Sequence, residues 1–178
     1  TPLGYVAGGA TSGLGAVFEI QTNVFPYSEP SLTIAGAASI AAWLYDDPAR
    51  AENDRTVMVT ARQVSGAWTA PSPVADNGTS DFHPQILGFD DGKALAVWED
   101  ASGLQADGAR YGEIVASLNI SASVLDGSGT GWSPLVPLTQ NSWVDYGPKI
   151  SGPTFQNVVA VWLSNQWSSP GAAATPTA

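Results

Sequence analysis

Apolar and polar positions along the chain follow one motif that occurs three times. A proline is followed two residues later by an aliphatic residue, then by a turn and a short apolar run ending in tryptophan. The copies are Pro30, Leu32 and Ala41-Ala42-Trp43; Pro84, Ile86 and Ala96-Val97-Trp98; and Pro148, Ile150 and Ala160-Val161-Trp162. The prolines stand 54 and 64 residues apart and the tryptophans 55 and 64, and a period of that length marks an array in which each unit buries its face against the next. The match extends backwards: Trp68 and Trp132 each lie 16 residues before the following proline, with Leu14 in that place before Pro30, and Asn23, Asn77 and Asn141 lie seven residues before it.

Helical periodicity is scarce and short strand-like runs are dense, so each full unit predicts four antiparallel strands. In the central unit these are Gln85 to Gly88, Ala94 to Glu99, Glu113 to Val124 and Trp132 to Thr139. The Asp90-Asp91-Gly92 hairpin, the polar loop Asp100 to Gly112 and the glycine-rich turn Asp126 to Gly131 join them. The preceding unit predicts strands at Ser31 to Ile34, Ile40 to Tyr45, Arg55 to Gln63 and Trp68 to Val74. Ahead of it there is room for a third and a fourth strand, near Gly4 to Gly9 and Leu14 to Thr22, and after the central unit for a first and a second, Lys149 to Gly152 and Val158 to Leu163. The expected layout is therefore three unit equivalents, one divided between the two ends: residues 1–28, 29–80, 81–144 and 145–165 within a single array at 1–165. A low-complexity tail or linker follows at 166–178.

Composition narrows the function classes. With 178 residues and 44% apolar content, the chain can bury a sizeable core. Sixteen acidic residues against six basic give a net charge of −10, the wrong sign for phosphate backbones and anionic membrane surfaces, so neither nucleic acid nor membrane insertion is expected. No run approaches the roughly 18 apolar residues that span a bilayer. The first residues lack a charged segment followed by an apolar core, so any signal peptide is expected to have been removed or to lie upstream. Cysteine is absent, which excludes disulfides and thiolate chemistry without fixing a compartment. Low charge with abundant Ser, Thr, Gly and Ala suggests a secreted or cell-surface protein, and Asn77-Gly78-Thr79 and Asn119-Ile120-Ser121 fit the glycosylation sequon.

Four-stranded antiparallel repeats with a tryptophan in the second strand resemble the blades of the sialidase-like (BNR or Asp-box) β-propellers. The turn from Ser123 through Asp126 to Trp132 is similar to a degenerate Asp-box, which in that family lies between the third and fourth strands with its tryptophan opening the fourth. It departs by an extra glycine before the tryptophan, and the matching turn before Trp68 has lost the aspartate. The resemblance runs from about Leu14 to Leu163 and implies an all-β fold of propeller blades. Propellers typically have four to eight blades, so three equivalents are expected to belong to a larger ring, completed by a second copy or by the remainder of a longer protein. An isolated array would leave strand edges and apolar faces open. An active sialidase-like enzyme would also need an arginine cluster at the inner strands and a Tyr/Glu nucleophile pair. Here the inner strands carry no arginine: Arg50, Arg55 and Arg110 fall in or beside loops and Arg62 in a third strand.

Candidate chemistry follows from what the repeat leaves over. Trp43, Trp98 and Trp162 recur beside small alanines, as expected where one sheet packs on the next, and Trp68 and Trp132 are expected to cover the outer strand. Trp143 and Trp167 lie outside the repeat and are the better ligand contacts. The loops entering each first strand read Tyr27-Ser28-Glu29, Asp81-Phe82-His83 and Asp145-Tyr146-Gly147. An acidic residue beside an aromatic, displayed around an axis, suits a cation or a sugar; the favoured alternative is structural, with the aspartate capping the turn before proline and the aromatic closing the channel. His83 is the only histidine, so one chain cannot build a multi-histidine metal site. Asp46-Asp47 and Glu99-Asp100 could hold Ca²⁺ through oxygen ligands, though no regular calcium motif is present, and no other cofactor is expected. The expected function is a non-catalytic extracellular propeller module for assembly or for glycan or protein binding. The alternative is part of a glycoside hydrolase, which needs two suitably spaced carboxylates.

Overall fold

The computed structural model describes residues 3–9, 13–129 and 131–165. Among these residues the fold is all-β, in four antiparallel sheets, with one short α-helix and one turn of 3-10 helix. The first sheet pairs β1 (Leu3–Gly9) with β2 (Gly13–Gln21). The second runs in order through β3 (Ser31–Ala35), β4 (Ala38–Asp46) and β5 (Thr56–Val64) to β6 (Ala67–Trp68), with β7 (Ser72–Pro73) also pairing β5. The third runs β8 (Asp81–Gly88), β9 (Ala94–Ala101), β10 (Leu118–Leu125), β11 (Val136–Pro137), and the last pairs β12 (Val144–Thr154) with β13 (Asn157–Asn165). Within each sheet sequential strands lie side by side: tight turns join β3 to β4 and β8 to β9, while longer loops carrying the 3-10 turn and the helix join β4 to β5 and β9 to β10. Two of these turns use glycine in the left-handed region, Gly36 at φ +56° and Gly92 at φ +83°, where a Cβ would be strained.

Three expectations need correction. The third strand of the central unit does not start at Glu113: Tyr111–Ala116 form the helix α1, and the strand begins at Leu118. Glu113 starts the helix by accepting the Arg110 backbone N–H at 2.9 Å, half of the reciprocal pair that closes a first turn. The fourth strands at Trp68 to Val74 and Trp132 to Thr139 are reduced to two-residue pieces and one isolated bridge, Leu125 to Trp132. Pro71, Pro73, Pro134 and Pro137 lack the N–H a ladder needs, which confines such segments to the edge. The inner strands start earlier than expected, at Asp81 instead of Gln85 and at Val144 instead of Lys149.

The sheets stack face to face through three clusters. Ala41, Trp43, Val57, Val59 and Ala61 pack against Leu3 and Ile20 of the first sheet. Ile40, Ala42, Leu44 and Met58, on the opposite face of the same strands, meet Ile86, Ala96 and Trp98 of the third sheet. Val97, Ile120 and Ala122 then meet Ile150 and Trp162 of the last. Successive residues of β4 and β9 thus serve opposite neighbours, the period of two expected of a strand buried on both faces. Trp43 and Trp98 are fully buried, Trp162 and Trp68 partly so, and the Trp132 Nε1–H donates to Thr60 Oγ1 at 2.9 Å. Contact between the second and third sheets is closest at their inner strands. Ile86 N donates to Ser31 Oγ at 3.1 Å and Gly88 N to Thr33 Oγ1 at 2.8 Å.

Candidate functional site

The most individual feature of the array is where β8 and β12 slip register. The slips fall between Phe82 and Gln85 and between Tyr146 and Lys149, around the fully buried Pro84 and Pro148. Neither proline has an N–H to give its neighbour, so each strand bulges there. The residue before each proline turns left-handed, His83 at φ +46° and Gly147 at φ +64°. Glycine takes that conformation freely; a histidine ahead of proline does so only if its surroundings hold it. What holds it is Glu99, the residue after Trp98 in β9. His83 Nδ1 donates to Glu99 Oε2 at 2.9 Å and Gly147 N to Glu99 Oε1 at 2.7 Å, so one buried carboxylate ties both bulges together.

A cavity of about 370 Å³ opens above this clamp, with His83 and Glu99 on its floor and Tyr111, Leu118, Val144 and Tyr146 among its walls. A second cavity of about 510 Å³ adjoins it, lined by Phe25, Phe82, Arg55 and again by Tyr111. The exposed Tyr111 ring, carried on α1, therefore borders both. Arg55 Nε pairs with Asp46 Oδ1 at 2.8 Å, and the buried Thr56 Oγ1 in the second cavity has no hydrogen-bond partner among the described residues. Tyr27 stands beside it, edge-on to Phe25 at 5.9 Å between ring centres.

Hydrogen bonding to Glu99 raises the His83 pKa above its ordinary value. Burial works against this, while the charges of Glu99 and Glu29 add to it and Lys149 opposes. A histidine whose pKa is higher folded than unfolded contributes stability that is fully present below the unfolded value of about 6.5 and is lost as pH rises through the folded value. Because His83 is half exposed, solvent screening keeps the effect below about 1 kcal/mol. The melting temperature should fall by a few degrees at most between about pH 6 and pH 8.5. His83→Asn, which tolerates the left-handed backbone without titrating, should flatten that slope. An unchanged slope in the variant would show that His83 is not its source.

The residues singled out from the sequence do not all converge. Tyr27 and Glu29 are exposed in the loop before β3, while His83 and Tyr146 line the first cavity. Asp81 and Asp145 are not displayed in loops: both are buried at the starts of inner strands and are used internally. Asp81 Oδ1 accepts Trp98 Nε1–H at 2.8 Å and Oδ2 accepts Met58 N–H at 2.7 Å, and burial pushes its carboxyl well above the ordinary range. Asp145 accepts from Asn141 Nδ2 at 3.0 Å and Ser164 Oγ at 2.5 Å. Trp143 is partly exposed in the turn before β12 and lines neither cavity; Trp167 lies outside the described residues.

The acidic pairs and the sequons are also engaged. Asp47 pairs with Arg50, while Asp100 accepts from Asn77, Thr79 and Ser121. Among the described residues no group of three or more His, Asp or Glu side chains is arranged to hold a metal ion. Asn119 lies within β10 beside the fully buried Ser121, and Asn77 gives its amide to Asp100 at 3.1 Å. The sequence marked Glu99 only as half of a possible Ca²⁺ pair with Asp100, although it stands where the other two copies have Leu44 and Leu163. Tyr111 had no signal, being one residue of a polar loop.

Comparison with family models, with curated proteins and with solved structures found no match.

Proposed function

We propose that the stacked sheets are successive blades of a β-propeller and that the chain is a non-catalytic binding module of an extracellular or cell-surface protein. Its ligand on this reading is a glycan, held in the twin cavities on either side of Tyr111. Sheet order supports the architecture: in the second and third sheets the strands follow one another in sequence from β3 and from β8, and β3 contacts β8 while β8 contacts β12. The observation that carries the function is the Glu99 clamp beneath an aromatic-walled cavity. A sugar ring offers an apolar face to a tyrosine and hydroxyls to a few fixed polar groups, and a site of mixed apolar walls and sparse, immobilised polar atoms suits it.

The hydrolase alternative is less well supported. Glu99, the acid lining the first cavity, has both oxygens occupied, and of Asp46 and Glu52 lining the second, Asp46 is paired with Arg55, whereas glycoside hydrolysis ordinarily uses two carboxylates. A glycan array probed with the full chain, followed by calorimetry on the retained sugars, tests the proposal. Tyr146→Ala should weaken binding about tenfold, equivalent to about 1.4 kcal/mol, with little change in melting temperature because the ring is exposed. If the unmodified chain retains no glycan, the proposal fails.

A further inference from the structure

The two flanks of the array are complementary halves of one sheet. In the second and third sheets the second strand pairs with the third, β4 with β5 and β9 with β10. Among the described residues the last sheet has only a first and a second strand, and none pairs with the far edge of β13. Among the same residues the first sheet has only a third and a fourth, and none pairs with the outer edge of β1.

The apolar faces tell the same story position by position. Ile40, Ala42 and Leu44 of β4 face the next sheet and are buried, as is Val97 of β9. The corresponding residues of β13, Val159, Val161 and Leu163, are 62%, 56% and 58% exposed. At the other flank, Ile86 and Ile150 pack against the preceding sheet, whereas their counterpart Leu32 is 70% exposed and Ile34 is 68% exposed; among the described residues the first sheet has no first and second strand to cover them. None of β1, β3 and β13 contains a charged residue, so no like-charge repulsion opposes their burial in a chain of net charge −10.

We infer that a second copy of this chain completes both flanks, with β13 of each copy pairing with β1 of the other. Each junction then yields one four-stranded sheet, β12-β13 from one copy and β1-β2 from its partner. The β12–β13 pair supplies the cover over Leu32 and Ile34, and the two junctions are identical, so the assembly closes as a ring of six sheets with no half-sheet left for further addition. The inference rests on the radial order proposed above and is independent of glycan binding.

Native mass measurement of the full chain should give twice 18.3 kDa. Val161→Asp should reduce the particle to one copy, and so should Leu32→Asp at the opposite flank. Mixing the two variants should restore the doubled mass, since a mixed pair retains one junction in which neither residue is changed. Amide exchange in β13 should be slow in the dimer and fast in either variant alone. A single copy at every attainable concentration, an open-ended series of larger masses, or no recovery on mixing overturns the inference. Exchange in β4 and β9 separates its failure from that of the radial order: protection there in a single-copy particle leaves the stacked sheets standing, and rapid exchange there removes them too.

Discussion

Trp98→Ala is expected to cost about 3–5 kcal/mol, the usual range for deleting a fully buried large aromatic, and to give the largest loss of stability among single changes at the three repeated tryptophans. The ring lies wholly inside the cluster between the second and third sheets, against Leu44, Met58 and Val74. Its Nε1–H also donates to Asp81 Oδ1 while Asp81 Oδ2 accepts Met58 N–H. The buried carboxylate is thus a bracket between two sheets, and removing the indole takes away one of its two donors. Trp98→Phe isolates that component: it keeps most of the apolar contact and forfeits the hydrogen bond, so about 1–3 kcal/mol is expected. Trp162→Ala, on a sheet with only one packed face, should cost less than Trp98→Ala. Urea unfolding of the four proteins checks the order. An alanine at 98 no worse than one at 162 would mean that the second and third sheets do not share a sealed interior.

Burial on both faces also explains which parts of the fold were legible in the sequence. Strands β3, β4 and β9 lie within two residues of their expected limits because a short apolar run between glycine-bearing turns leaves little freedom in length or register. The fourth strands were overestimated because an apolar, tryptophan-led segment reads as a strand until the missing N–H groups of Pro71, Pro73, Pro134 and Pro137 are counted. Helix α1 was invisible for a different reason: six residues show less than two helical turns of pattern, and what starts the helix is the single contact from Arg110 N to Glu113.

For the candidate site, two of the acid–aromatic segments before the prolines contribute His83 and Tyr146 to one cavity, but their aspartates are buried in strands and not displayed in loops. Aspartate shortly before proline is a turn signal, and only tertiary packing shows that Asp81 and Asp145 are inside strands. The copies differ in β9, where a glutamate interrupts an apolar position. Such a departure from a repeat is informative because a charge buried there must have partners, and its partners are His83 and Gly147.

Gly88→Ala is expected to cost about 3 kcal/mol, the upper part of the overpacking range, although the substitution adds one methyl group. A Cβ at Gly88 would stand 2.1 Å from the Ile34 carbonyl oxygen and 2.9 Å from Ala35 Cβ. The obstacle is mainly backbone, so no rotamer change relieves it; β3 and β8 would have to separate. Separation would also strain the bonds from Gly88 N to Thr33 Oγ1 and from Ile86 N to Ser31 Oγ, each worth about 1 kcal/mol. Gly147→Ala is the control. No atom lies within 4 Å of a Cβ there, and the only cost is the left-handed backbone at φ +64°, about 1–2 kcal/mol. In a chain of this size 1 kcal/mol moves the melting temperature by about 2–4 °C, so Gly88→Ala should lose roughly 6–12 °C and Gly147→Ala about one third to two thirds of that on the same scale. Equal losses would mean that ordinary backbone strain governs both sites and that the inner strands are not in direct contact. The predicted inequality requires two sheets whose inner edges meet backbone to backbone, the approach that also brings the His83 bulge, Glu99 and the cavity above them into one place.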